Sequence, residues 1–288
     1  MLRRWSHLGI SIVFAVADGI WGILRRLVGR PKRRRCVVLA YHRVTERELP
    51  LFTRQMDVLL KHAKPIAADV KSLPEGGGNY AAVTFDDGLQ CIVDNALPEL
   101  AKRQIPSTLF IVTNVLGQSP DWEYFGGDDP AKERAMTEEQ LRKLPSELVT
   151  IGSHTLTHPV LPDASDEVLD AELAQSRTKL EAILKRDVKM LSFPYGAFDD
   201  RVVQRCRTAG YERVFTALPE FAFSEPQEFL TGRVGAHAAE WPIEFRLKLA
   251  GAYRWLPAAI RMKRRLRSLL SRKAVPSHGL KPQERRLG

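Results

Sequence analysis

Two short strings of the sequence pair the residue types that bind metals and move protons. Adjacent aspartates, Asp86 and Asp87, close one apolar run, and His154 and His158 stand four residues apart after another. Carboxylates and neutral imidazoles are common zinc ligands, and two histidines at this spacing can face one ion. Taken singly, each string also fits an ordinary surface turn or a coincidence. Together they indicate a metal centre with one carboxylate left over as a base.

A third string, Ser192-Phe193-Pro194-Tyr195-Gly196, predicts a turn at the end of a further apolar run. Pro194 and Gly196 shape this turn, whose backbone N–H groups could face a ligand. All three strings follow predicted strands. Because α/β enzymes keep their chemistry at the carboxyl ends of strands, we expect the three strings to share one site.

Strand and helix patterns alternate between these strings. Seven apolar runs predict strands: Cys36–Tyr41, Ala81–Phe85, Thr108–Thr113, Leu148–Gly152, Val188–Phe193, Arg213–Thr216 and Leu230–Val234. Five stretches have the apolar spacing of helices: Phe52–His62, Ile92–Arg103, Thr137–Leu144, Asp166–Lys185 and Asp199–Ala209. Ser165 or Asp166, and Asp199, are the N-cap candidates. This alternation predicts an α/β fold with a parallel sheet or barrel.

Charge divides the 288-residue chain into an acidic body and two basic ends. The chain carries a net +10 and is 44% hydrophobic, which is enough for one large core. Residues 1–35 hold nine Lys or Arg against Asp18 alone, and residues 246–288 hold thirteen against Glu284 alone. Residues 36–245 therefore carry a net −10. We expect this middle part to be the catalytic domain and both ends to contact something anionic.

The N-terminal segment contains the apolar stretch 8–24, which Asp18 interrupts and cations flank on both sides. These features, and the lack of a small-residue cleavage site, weaken both a simple span and a cleaved signal. One helical stripe would be polar (Arg4, His7, Ser11, Asp18, Gly22, Arg25) and the other apolar (Ile10, Phe14, Ala17, Trp21, Leu24). This favours an amphipathic helix in the membrane interface, with a spanning anchor or a helix packed on the core as alternatives.

The C-terminal segment repeats this theme, because apolar and basic residues alternate over residues 260–272. We expect a basic amphipathic helix attracted to anionic lipid, followed by a disordered tail after Pro276. A solvated helix is the alternative, and we expect no nucleic-acid partner because the run lacks aromatic residues. The protein is therefore expected at a membrane, on a side of a bacterial inner membrane that the sequence leaves open, with the cytoplasm as the alternative.

The three strings together resemble the polysaccharide deacetylases of the NodB-homology group, carbohydrate esterase family 4. The pattern T-F-D-D-G is met at residues 84–88, H-[ST]-x-x-H at residues 154–158 and the proline-aromatic-glycine turn at residues 194–196. The strings around Tyr41 and Phe52 are also similar to segments of bacterial exopolysaccharide deacetylases. The resemblance covers roughly residues 36–235, the size of one domain. It implies a distorted (β/α) barrel of about seven parallel strands.

The same resemblance implies a function and a site. The expected reaction is hydrolysis of N-acetyl groups on an amino-sugar polysaccharide or lipid-linked glycan, such as an exopolysaccharide, a chitin-like polymer or peptidoglycan. Asp87, His154 and His158 would bind a divalent metal, for which zinc is the expected ion. Asp86 would be the base, and the backbone N–H of Tyr195 would stabilise the oxyanion.

The sequence departs from the family's pattern at the arginine that braces the catalytic aspartate, and its general acid is less clearly marked. Many members place an arginine two residues before the motif proline to brace the catalytic aspartate, whereas this chain has Ser192. Arg233 is the candidate substitute and a candidate substrate contact, together with Pro194 and Tyr195. His237 is the candidate general acid. The alternatives are O-deacetylation of a glycan ester and a non-catalytic glycan-binding homologue.

Overall fold

The computed structural model describes residues 2–30, 33–75, 77–122 and 133–262, and a parallel sheet forms its centre. The strands are β1 Arg34–Tyr41, β2 Lys64–Pro65, β3 Gly78–Phe85, β4 Ser107–Ile111, β5 Val149–Ser153, β6 Met190–Ser192, β7 Arg213–Phe215, β8 Leu230–Thr231 and β9 Val234–Gly235. β1, β3 and β4 are buried over most of their length. Such continuous burial is typical of parallel strands that are covered on both faces.

The sheet is rolled up rather than flat. Its strand order is β8-β7-β6-β5-β4-β3-β1-β9, with β2 paired to β3 beside this path, and every pair is parallel. The two end strands, β8 and β9, are joined in the chain by Gly232 and Arg233 alone. So short a link holds the two ends of the sheet within about 10 Å of each other. The sheet is thus the distorted (β/α) barrel that the sequence predicted, with a seam between β8 and β9.

Helices surround the sheet. They are α1 Leu2–Leu27, α2 Leu49–His62, α3 Leu97–Lys102, α4 Glu138–Arg142, α5 Asp166–Leu184, α6 Asp200–Thr208 and α7 Pro242–Leu249, and a π-helical turn, Ile92–Ala96, leads into α3. The caps explain several of these starts. Ser165 accepts the N–H of Val168 at the start of α5, and Asp199 does the same for Val202 at the start of α6.

Each predicted strand and helix of the middle region has a counterpart, and the differences lie at the edges. The sequence did not predict the two-residue β2 or the helix α7. α7 runs across the expected boundary between residues 245 and 246, because Phe245, Leu247 and Leu249 are buried in the main core. Residues 256–262 are helical, and the rest of the predicted basic helix and tail lies outside the described residues.

Candidate active site

The two adjacent aspartates lie where β3 ends at the carboxyl edge of the barrel. The N–H of Asp86 donates to the carbonyl of Tyr41 at 2.9 Å, so Asp86 still follows the sheet. Asp87 then takes a left-handed conformation with φ 70°. The next residue, Gly88, has φ +68° and no room for a side chain, since a Cβ there would lie 2.9 Å from Cδ1 of Ile111. This abrupt turn lets both carboxylates face one site.

The histidines lie on a loop that follows β5, beside the aspartates. The N–H of His154 donates to the carbonyl of Ile111, and the N–H of His158 donates to Oγ1 of Thr155. The loop turns at Thr155 and His158, which have φ 70° and 65°. Glu172 of α5 holds the intervening backbone, because its Oε2 accepts the N–H groups of residues 156 and 157 at 2.8 and 2.9 Å.

Asp87, His154 and His158 converge into a group that fits a metal ion. Oδ1 of Asp87 lies 3.6 Å from Nε2 of His154 and 3.5 Å from Nε2 of His158. Two ligands of a tetrahedral zinc ion are about 3.4 Å apart, given bond lengths near 2.1 Å. Oδ1 of Asp87 is buried and accepts no hydrogen bond from any residue that the structure describes. Because a buried carboxylate oxygen normally has a partner, this arrangement fits a cation as the missing partner.

The protonation states of this group also suit a metal. Burial lowers the pKa of His154 to about 4, and burial together with the charge of His154 lowers that of His158 to about 2. Both imidazoles are therefore neutral near pH 7. Nδ1 of His154 lies 2.9 Å from the carbonyl of Ser192, which places the proton on Nδ1 and the lone pair on Nε2, toward Asp87. Burial, and the neighbouring charge of Asp86, raise the pKa of Asp87, so its carboxylate gains stability from a cation.

Asp86 has a different partner, the guanidinium of Arg233. NH1 of Arg233 donates to Oδ1 of Asp86 at 2.8 Å and NH2 donates to Oδ2 at 2.7 Å, a bidentate pair that is almost fully buried. Burial is the largest single influence and would raise the pKa of Asp86, but the charge and hydrogen bonds of Arg233, together with the nearby His154 and His42, outweigh it and hold that pKa well below its usual range. Asp86 and Asp87 are thus neighbours in sequence with opposite electrostatic environments.

Arg233 uses all of its donors on the protein. Besides the pair with Asp86, it donates to the carbonyl of Thr216, to Oγ1 of Thr84 and to Oγ of Ser192. These bonds account for the five N–H groups of a guanidinium. Arg233 also lines the cleft, so its expected contact with substrate stays a prediction. The family's pattern places the arginine that braces this aspartate at residue 192. In this chain Arg233, which lies between β8 and β9, pairs with Asp86 instead, and the short side chain of Ser192 leaves room for it.

The third string forms the turn that the sequence predicted. Pro194 is buried and shapes the backbone, so it offers little surface to a substrate. Tyr195 has a left-handed conformation with φ 56°, and its side chain is 42% exposed, with its ring edge-on to His158. Gly196 has φ +63°, and a Cβ there would lie 2.5 Å from Cβ of Ala217. The turn therefore presents the backbone and ring of Tyr195 beside the histidines.

Backbone strain concentrates at this site. Asp87, Thr155, His158 and Tyr195 are half of the eight non-glycine residues with positive φ in the described chain. For threonine this conformation is unusual, and such residues persist only where surrounding contacts hold them. The concentration indicates that the fold positions these side chains at some cost to its own stability.

A cleft of about 460 Å³ opens above these residues, and His237 lies on its rim. The imidazole of His237 is about half exposed, and its Nε2 lies 3.4 Å from Oε1 of Glu48. Its Nδ1 accepts the N–H of Ala239, which leaves the proton on Nε2. Asp86, Asp87, His154 and His158 line the same cleft. The expected acid thus shares the cleft with the expected base and metal group, but its contacts with the protein are looser.

Three contributors to the site were missed in the sequence. Glu172 anchors the histidine loop, the hydroxyl of Ser192 lies between Asp86 and Arg233, and Trp122 stacks on His158 with 4.4 Å between ring centroids. An acid on the apolar face of α5 was a usable signal for Glu172, since buried acids need partners. The sequence places Trp122 on a long loop that could rim a site, but it favours anchoring of the loop to the core as the role of this ring, so the contact with His158 was missed.

Comparison with known proteins finds a family model that matches the region of this site. Residues 74–214 match the family model described as polysaccharide deacetylase, and this span contains both aspartates, both histidines and the turn at Tyr195. Over this span the chain is similar to the polysaccharide deacetylase family. The deacetylase match ends before Arg233 and His237, so the brace and the candidate acid lie beyond it.

Two relatives and one solved structure illustrate the similarity. The chain is 29% identical over 138 residues to a poly-beta-1,6-N-acetyl-D-glucosamine N-deacetylase of Staphylococcus aureus, with 46% of each chain covered. The corresponding enzyme of Staphylococcus epidermidis is 27% identical over 143 residues, again covering 46% of each. The chain thus spans about half the length of these relatives. IcaB from Ammonifex degensii has the same fold, with a TM-score of 0.63, 24% identity, and coverage of 77% of this chain and 98% of that one.

Proposed function

We propose that this protein is a zinc-dependent deacetylase, a hydrolase that removes N-acetyl groups from an amino-sugar glycan. The observation that carries the proposal is the division of labour between the two adjacent carboxylates. Asp87 joins two neutral histidines in a group with metal-ligand spacing, while Asp86 is held apart as a charged carboxylate in the same cleft. Hydrolysis of an amide needs both an electrophile for the carbonyl and a base for the water.

Asp87, His154 and His158 would hold the ion. When bound, zinc supplies Lewis-acid polarisation of the acetyl carbonyl and a lowered pKa for the attacking water. Three protein ligands are the number that catalytic zinc sites use, where a further position is kept for water or substrate. The hydrogen bond from Nδ1 of His154 to the carbonyl of Ser192 fixes the ring orientation that this role requires.

Asp86 would accept the proton of the attacking water. An ionised carboxylate has about four lone-pair sites, and Arg233 and Ser192 use three of them, two on Oδ2 and one on Oδ1. One site on Oδ1 therefore remains for the proton. Arg233 keeps Asp86 ionised and fixes its orientation before the reaction begins.

The remaining steps concern charge on the substrate oxygen and the leaving amine. The N–H of Tyr195, held in its left-handed turn, would donate to the oxyanion that forms when water attacks. His237, in its protonated imidazolium form, would then give a proton to the sugar amine as it leaves and become neutral again, from its place at the rim of the cleft. The exposed ring of Tyr195 offers a flat surface for a sugar.

The relatives suggest the substrate class to test first. The two staphylococcal proteins are named for poly-beta-1,6-N-acetyl-D-glucosamine. We therefore propose an N-acetylglucosamine polymer as substrate, and association with a membrane as the setting. Two alternatives use the same cleft: hydrolysis of an acetyl ester on a glycan, and glycan binding without turnover. The test below distinguishes both of them from N-deacetylation.

The test is acetate release from defined glycans by the purified full chain. Oligomers of β-1,6-linked and β-1,4-linked N-acetylglucosamine and an O-acetylated glycan are compared, with chelator and after zinc is added back. We expect release from an N-acetylated oligomer, loss with chelator and recovery with zinc. His154→Ala should be inactive, whereas His62→Ala, an exposed histidine on α2, should behave like the parent protein. Release only from the ester, or release that chelator and His154→Ala leave unchanged, would overturn the proposal.

A further inference from the structure

Helix α1 contacts the barrel through one buried apolar residue, Leu8, and through several polar side chains. Arg4 pairs with Glu244, Nε to Oε1 at 2.8 Å. About two turns further on, fully buried Ser11 accepts the indole N–H of Trp255 at 2.9 Å. Near its other end, Asp18 pairs with Arg35 and Arg254. The polar stripe that the sequence predicted is therefore the docked face of α1.

The outward face of α1 is consequently apolar. Six large aliphatic side chains on it are between 49% and 77% exposed: Val13, Val16, Ile20, Ile23, Leu24 and Leu27. Trp5 and Trp21 at its margins are exposed by more than half as well. A helix that packs on a protein core in water has the opposite polarity. A continuous apolar face of this length marks a surface that contacts something other than water.

Basic residues border this apolar face. Arg25, Arg26 and Arg30 lie at its end, and Arg26 and Arg30 are exposed. The helical stretch 256–262, next to Trp255, adds Ile260 and Met262 as exposed apolar residues. An apolar face with cations at its border is complementary to lipid chains beneath anionic headgroups, and not to a second protein surface of ordinary composition.

The docking contacts also fix how α1 lies relative to the barrel. At its start, Trp5 packs on Trp241 with 4.8 Å between ring centroids, and Trp241 lies four residues after His237 on the cleft rim. At Asp18 the helix has reached Arg35, in the first residues of β1. α1 therefore runs along the side of the barrel, from the end that carries the cleft to the opposite end.

We infer that α1 lies in the interface of an anionic membrane, with its polar face docked on the barrel and its apolar face in lipid. α1 is long and apolar enough to span a bilayer. However, docking from Arg4 to Asp18 covers about 21 Å of helix, so a spanning α1 would draw the charged barrel into a hydrocarbon layer about 30 Å thick. In the interfacial arrangement the barrel lies on its side and the cleft opens along the membrane surface.

Vesicle sedimentation of the full chain tests this inference, independently of any enzymatic activity. The probes are phosphatidylcholine vesicles with and without phosphatidylglycerol. We expect binding to the anionic vesicles and at least a roughly tenfold loss of partitioning in the double variant Val16→Asp, Ile20→Asp. The matched control is Leu60→Asp, Val168→Asp, two apolar side chains of similar exposure on α2 and α5, which should bind like the parent. Circular dichroism melting curves check that all variants fold.

Two further readouts separate the alternatives. Alkaline carbonate should release the protein from membranes, since an interfacial helix is held less firmly than a span. Retention after carbonate would indicate a spanning helix and would overturn the docked geometry. Equal loss in both double variants, no binding by the parent, or a dimer that dissociates only in the α1 variant would overturn the lipid assignment. An intact mass that lacks residues 1–27 in protein recovered from membranes would do the same.

Discussion

The carboxyl end of the barrel and the outer face of α1 both reverse the usual distribution of side chains, but in opposite ways. At the barrel end, charged groups are buried: Asp86, Asp87 and Arg233 are each at most 4% exposed. On α1, large aliphatic groups face outward. Buried charges and exposed apolar surfaces are the informative exceptions to ordinary burial. At the barrel end Asp86 and Arg233 pair with each other inside the protein, whereas the outer face of α1 needs an external partner.

The first and largest test of this comparison removes the buried ion pair between Asp86 and Arg233. Arg233→Met should destabilise the fold by about 3–5 kcal/mol, because Asp86 would remain charged and buried without a partner. Urea unfolding followed by circular dichroism measures this effect. Arg205→Met is the matched control, since Arg205 pairs with aspartates at the surface and its loss should change stability little.

A second variant tests whether an arginine at residue 192 can replace Arg233 as the partner of Asp86. Ser192→Arg combined with Arg233→Ser places the arginine where many relatives have it. We expect this double variant to recover part of the stability and acetate release that Arg233→Ser alone loses. If the two variants behave alike, the pairing with Asp86 does not explain the role of Arg233.

The next largest effect should come from the anchor of the histidine loop. Glu172→Gln keeps the side-chain shape but weakens three hydrogen bonds to the loop backbone and Thr157. Loss of such outer contacts lowers metal affinity by roughly 10–100-fold. Competition with a chromogenic chelator measures the zinc Kd. Glu167→Gln, an exposed acid on the same helix, should leave the Kd unchanged, and equal values for all three proteins would remove Glu172 from the site.

The smallest expected effect lies at the docked face of α1. Asp18→Ala removes one carboxylate shared by Arg35 and Arg254, and we expect a loss of about 1 kcal/mol in unfolding free energy. Binding to anionic vesicles should persist, because the apolar face is unchanged. A loss of vesicle binding as large as that of the outward-face variant would mean that the docked face, not the apolar one, contacts lipid.

The sequence predicted the barrel end far better than the contacts behind it. Asp86, Asp87, His154 and His158 lie at strand ends, so their convergence follows from the parallel order of the strands alone. Glu172 could not be assigned this way, because its role depends on how α5 packs against a loop. Arg233 was only one candidate brace, since its reach to Asp86 depends on the seam of the rolled sheet.

For the N-terminal helix, too, the sequence did not predict contacts with distant parts of the chain. Its two faces could be read from the sequence, but which face meets the barrel depends on Glu244, Trp255 and Arg254, far along the chain. Phe14, placed on the apolar stripe by the sequence, lies instead at the edge of the docked face, under the guanidinium of Arg254. The stripe therefore identified an amphipathic helix without identifying its partners.

The central claim is that two neighbouring carboxylates do different work, and one pair of variants tests it directly. Asp86→Asn and Asp87→Asn are isosteric changes at adjacent positions, compared for bound zinc by elemental analysis and for acetate release. Asp86→Asn should retain zinc and lose roughly 10²–10⁴-fold in rate, the usual contribution of a general base. Asp87→Asn should lose both zinc and activity. If both variants lose zinc, or if Asp86→Asn releases acetate at the parent rate, the division of roles between Asp86 and Asp87 is wrong.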